Sequence, residues 1–97
     1  MNSHHLLTNF MNEAAKNKNI LASHISLYSA ILCYCDKEGD LESSFHVNRR
    51  ELMRFSKLAS TATYHKCMKD LVKYDFIIYE PSYHPQLGSQ VSLSKEL

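Results

Sequence analysis

Three kinds of side chain in this sequence could do chemistry: six histidines, three cysteines and a dense block of lysine and arginine. The cysteines, Cys33, Cys35 and Cys67, are odd in number and lack the spacing of a disulfide framework. Cys33 and Cys35 stand two apart in a predicted helix, so they point about 200° from each other and do not converge on one ion. His65 and Cys67 diverge by about the same 200°, which argues against a catalytic pair. All three thiols read most simply as small core residues, and the His4–His5 pair as solvated. The sequence has no glycine-rich phosphate loop, no nucleophile elbow and no metal-ligand spacing. No enzyme activity, metal, cofactor or small-molecule ligand is expected.

The basic block is the stronger signal. Residues 49–73 carry Arg49, Arg50, Arg54, Lys57, Lys66, Lys69 and Lys73 against only Glu51 and Asp70. Residues 1–48 carry three lysines against five acids, and residues 74–97 one lysine against three. Net charge is only +1, but a chain that is neutral overall can bind nucleic acid through a local patch. Short basic clusters also arise on ordinary solvated helices, so the elements that carry the charge decide between the two.

At 97 residues the chain suffices for one small domain. No run approaches the roughly 18 apolar residues of a membrane span, and the start lacks a basic region followed by an apolar core, so a cytoplasmic protein without membrane contact is expected. "SHHLLTNFMNEAAKNKN" predicts a first helix, capped by Ser3, with Leu6, Leu7, Phe10, Met11, Ala14 and Ala15 as its apolar stripe. A second helix runs from Ser23 or Ser26 to Asp36, with Ile25, Tyr28, Ile31, Leu32 and Cys35 on one side and Gly39 suited to a left-handed cap. "SSFHV" reads as a short strand. "NRRELMRFSKL" is a third helix, capped by Asn48 with Glu51 in capping-box position. Val47 can staple onto Leu52, and Leu52, Phe55 and Met53 are expected to face inward. A fourth helix follows over residues 60–74, capped by Ser60 or Thr61. "DFIIYE" and "SQVSLS" then predict a hairpin with Val91 and Leu93 on one side.

A helical wheel of residues 61–74 separates two faces. Tyr64, Cys67, Met68, Leu71 and Tyr74 fall in an arc of roughly 120°, and Thr61, Ala62, His65, Lys66, Lys69 and Lys73 in an opposite arc of roughly 140°. Thr63 and Val72 lie at the borders. One arc can anchor the helix while the other is presented outward. Small residues at the start allow close approach to a DNA groove, threonine can meet phosphate, base or thymine methyl, and His65 and Lys66 stand one turn further on. Ser60 with the helix N-terminus offers a place for phosphate.

The sequence resembles the winged helix-turn-helix superfamily of bacterial DNA-binding proteins over residues 25–94. The carrying residues are "VNRRELMRFSKLASTATYHKCMKDLVKYDFIIYEPS" followed by "GSQVSLS". More loosely it is similar to small regulators and replication or excision accessory proteins of bacterial mobile elements. The resemblance implies an α+β fold: a three-helix core and a C-terminal β-hairpin wing at 21–97, plus an extra N-terminal helix at 1–20. It implies that Ser60, Thr61, Thr63, His65, Lys66 and Lys69 face double-stranded DNA while Arg49 and Arg50 meet the phosphate backbone. The chain departs from the family in three places: "SKLAS" has no glycine in the turn, Asp75 stands where glycine is common, and the tip "PSYHPQLGSQ" has no lysine or arginine. At that tip only His84, Gln86, Ser89 and Gln90 remain to bond phosphate or sugar, and Tyr83 either packs or is exposed. The first helix either pairs two copies as a homodimer or packs onto its own domain. The competing reading is a winged helix that docks protein and not DNA, which the uncharged tip and the near-neutral total favour.

Overall fold

Asn48 shows how closely local chemistry sets this fold. Its extended backbone and its side-chain oxygen, which accepts the Glu51 N–H at 3.1 Å, start a helix where the sequence asks for one. In the computed structural model, which describes residues 3–38, 44–82 and 88–93, the elements are α1 (Ser3–Lys16), α2 (Ala22–Glu38), β1 (Phe45–Val47), α3 (Arg49–Ser56), α4 (Thr61–Lys73), β2 (Ile77–Glu80) and β3 (Ser89–Leu93). The fold is α+β: four helices and one three-stranded antiparallel sheet of order β1-β3-β2. Val91 is paired with Phe45 on one side and Tyr79 on the other, so the short strand ahead of α3 closes the sheet. Gly88 (φ +72°) makes that closure possible: a Cβ there would stand 2.7 Å from the Val47 carbonyl oxygen.

The core lies between the helices and one face of the sheet. Phe45, Val47, Ile77, Val91 and Leu93 point into it, while Ile78 (56% exposed) and Glu80 look outward, the alternation of a sheet with one wet face. Helix α2 runs through the middle. It buries Leu27 and Ala30 besides Tyr28, Ile31, Leu32 and Cys35, so its apolar surface goes further round than a single stripe. It also begins at Ala22, ahead of the expected serines. Its first turn is closed by His24, whose Nδ1 accepts the Leu21 N–H at 2.8 Å, the reach-back of a capping box made by an imidazole.

Helix α1 is part of this same core. Leu6 and Phe10 are buried, and Leu7 and Ala14 pack against them. The Phe10 ring stacks on Tyr28 (centroids 4.2 Å, 9°) and meets Phe76 edge-on at 4.6 Å. Met11 and Ala15 are exposed, so the inward stripe is narrower than expected. Ser3 lies within α1 and does not cap it from outside.

Two further expectations are corrected. Phe55 is 37% exposed, and Ser56 takes the buried place one position on. Helix α3 has only eight residues, and its inward face is used up by Leu52, Ser56 and partly buried Met53. The Arg54 guanidinium lies over the Phe55 ring at 4.8 Å, which partly covers it. Cys33 is exposed whereas Cys35 and Cys67 are buried, so only two thiols act as core residues. Gly39 and the hairpin-tip residues Tyr83, His84 and Gln86 lie outside the described residues. No helix among the described residues is long and apolar enough to cross a membrane.

Candidate nucleic-acid interface

Helix α4 is fastened at both ends by its own sequence. Ser60, in extended conformation, accepts the Thr63 N–H on its hydroxyl oxygen at 3.2 Å. At the other end Asp75 adopts φ 65°, the Phe76 N–H reaches the Leu71 carbonyl and the Asp75 N–H the Val72 carbonyl, both at 3.0 Å. That is a Schellman motif, completed by burial of Leu71 and Phe76 together. Lys57 (φ 66°) plays the left-handed role at the end of α3, where the turn to α4 begins. Among the described residues the two non-glycine positions with positive φ are thus Asp75 and Lys57, the latter in the glycine-free turn. The turn is further tied to α2 by a hydrogen bond from the Ser26 hydroxyl to the Ser56 carbonyl.

The two faces of α4 separate as the wheel requires. Tyr64, Cys67, Met68 and Leu71 are buried, and Tyr74 packs against the core. Burial pushes the Tyr64 phenol up to about 12, helped by Tyr79 and opposed by the Arg49 charge. Burial alone lifts Tyr28 to about 12 as well. Thr61, Ala62, Thr63, His65, Lys66, Lys69, Val72 and Lys73 are exposed, as are Ser60, Arg49 and Arg50. The outward arc therefore holds four of the eight expected site residues, Thr61, His65, Lys66 and Lys69, with Thr63 at its border and Ser60 at the cap of the helix. Arg49 and Arg50 lie on the first turn of α3.

This outward arc has two unlike flanks. His65 and Lys69, with Met68 and Val72, line an open groove of about 230 Å³ whose far wall is Tyr79 of β2. The His65 ring stands edge-on to Tyr64 at 5.3 Å, and the Tyr79 hydroxyl donates to Ser89 Oγ at 3.0 Å. On the other flank Lys66 donates to Asp70 Oδ2 at 3.1 Å. The same oxygen accepts a hydrogen bond from His24 Nε2 at 2.8 Å. Because His24 Nδ1 accepts from Leu21, the ring proton must sit on Nε2, and the neutral tautomer is fixed. The His24 bond, reinforced by Lys66 and opposed by burial, holds the Asp70 carboxyl below its ordinary value. Asp70 in turn holds the Lys66 ammonium above its own.

His24, Asp70, Tyr79 and Val72 were not singled out from the sequence as parts of this surface. The only sequence signal for the Lys66–Asp70 pair is its i,i+4 spacing. Nothing local links His24 to Asp70, 46 residues away. Ser89, expected at the hairpin as a phosphate ligand, is occupied: it takes the Tyr79 hydroxyl and the Ser82 N–H. Gln90 meets His46 across the strands at 3.4 Å. No protein-family model matches this chain, and no curated protein or solved structure matches it either.

Proposed function

We propose that the protein is a winged helix-turn-helix DNA-binding factor that reads double-stranded DNA with α4, as a transcriptional regulator or a mobile-element accessory protein. The observation that carries this reading is the division of α4. Its inner arc is buried, while small residues (Thr61, Ala62, Thr63) at its start and cations further back are exposed where a groove could meet them. The element order supports it: a capped helix, a tight left-handed turn, the reading helix, then a hairpin closed by the strand ahead of α3. In this arrangement Thr61 and Thr63 approach base edges, Ser60 and the α4 N-terminus meet a phosphate, and Lys66, Lys69, Arg49 and Arg50 neutralise the flanking backbone.

With roughly four to six cationic contacts, the log–log salt slope should be about −4 to −5 per subunit. Anisotropy titrations of a random-sequence duplex between ~50 and ~200 mM salt measure it. Lys66→Glu combined with Lys69→Glu should abolish that binding; unchanged affinity at low salt would remove the proposal. Selection from a random duplex pool identifies the site, a palindrome marking a homodimer and a lone half-site a monomer. A protein-docking module is the second reading. It is favoured by the groove against Tyr79 and by Val72, 38% exposed on its rim. It requires that no salt-dependent DNA affinity be found.

A further inference from the structure

We infer that Asp70 is a built-in competitor for DNA phosphate, held in place by His24 so that its carboxylate occupies Lys66. The inference rests on the DNA-binding reading and adds a regulating residue to it.

Two hydrogen bonds converge on one oxygen. Asp70 Oδ2 accepts from Lys66 at 3.1 Å and from His24 at 2.8 Å. The two donors differ in freedom. The His24 ring is 2% exposed, pinned through Nδ1 to the start of α2 and edge-on to Tyr74 at 6.4 Å. The Lys66 side chain is 72% exposed on a flexible stem. Asp70 therefore stays with the core, and Lys66 is the partner that can leave. Among the described residues the charged and titratable groups against Asp70 are these two, with Tyr74 edge-on to the imidazole.

A carboxylate beside a lysine on a DNA-facing helix is an anion where the ligand's anion must go. Exposed pairs of this kind are weak, so phosphate displaces Asp70 readily, but the exchange diminishes what the Lys66 contact contributes. His24 gives the competitor its fixed position: without a buried donor, an exposed aspartate would swing into water.

The test is a double-mutant cycle on the full chain with a random-sequence duplex at ~50 mM salt. Asp70→Asn keeps an oxygen for His24 and removes the charge. It should tighten binding about two- to fivefold, the range of exposed ion pairs. In a Lys66→Gln background the same change should have less than about half that effect on a logarithmic scale. An equal gain in both backgrounds would mean that Asp70 merely repels DNA at a distance, and would overturn the inference while leaving DNA binding intact. Wild-type protein without salt-dependent affinity would remove both. Thermal melts confirm that each variant is folded. If Asp70→Asn does not fold, the carboxyl ¹³C signal of Asp70 in the wild type serves instead. It should shift when duplex is added, and an unmoved signal in the bound state would overturn the inference.

Discussion

At the scale of single residues, two buried polar groups behave oppositely. His24 satisfies both ring nitrogens, one in the chain start of α2 and one on Asp70. The Tyr28 hydroxyl is buried with no hydrogen-bond partner among the described residues. A buried hydroxyl without a partner is destabilising, so Tyr28→Phe should leave stability unchanged or raise it by up to about 1 kcal/mol while keeping the stack on Phe10. Urea midpoints read this directly, and a loss above ~1 kcal/mol would show that the hydroxyl has a partner. Asp70 gives a pH dependence. Its folded carboxyl titrates below the ordinary 3.8, so between the two values the unfolded chain binds more protons. Its contribution is therefore complete above 3.8 and disappears as pH falls through the lowered folded value. Denaturation of wild type and Asp70→Asn at pH ~6 and pH ~3 should show the two stabilities converging in acid. Divergence on acidification would contradict the assigned ion pair.

At the scale of elements, the helix ends matter most. Lys57 and Asp75 both hold left-handed backbone that glycine adopts freely. Lys57→Gly and Asp75→Gly should each stabilise by about 0.5–1 kcal/mol, because relief of the Cβ strain exceeds the added freedom of the unfolded chain. Thermal unfolding checks it, and a fall in midpoint for either variant would mean that its side chain has a second role. Three helix ends were legible from the residues, whereas the left-handed Lys57, inside the helix expected over "NRRELMRFSKL", was not. The Asn48 and Ser60 caps, and the tolerance of Asp75 for left-handed backbone, depend on groups a few positions apart, and the structure has them where expected. The α2 boundaries and the exposure of Phe55 were not legible. Both depend on which neighbours cover a helix, and periodicity within one element does not contain that.

At the scale of the whole molecule, α1 belongs to the core and not to a detachable arm. Phe10 bridges Tyr28 of α2 and Phe76 beside β2, so one side chain joins the first and last thirds of the chain. Phe10→Ala should cost about 3–5 kcal/mol. A domain this small has a total stability on the order of 5–15 kcal/mol, so partial unfolding at 37 °C is expected. Circular dichroism follows it, and a native-like melt would show that α1 contributes little. An α1 spent in this way has few apolar residues left to pair two copies; Met11 is exposed on it, and Leu21 just beyond.

By itself the sequence determined the element order, the N-terminal caps of α3 and α4, the two faces of α4 and the inward side of β3. Each follows from side-chain type at helix or strand spacing, and short-range sterics and hydrogen bonding act identically wherever the segment sits. Tertiary structure alone decided that α1 completes the core, that β1 pairs with β3, and that His24 meets Asp70 across 46 positions. It also decided that the outward arc of α4 has one flank facing Tyr79 and another whose lysine is already paired. Those facts depend on which surfaces meet when the chain closes, and burial, unlike periodicity, is a property of the assembled whole.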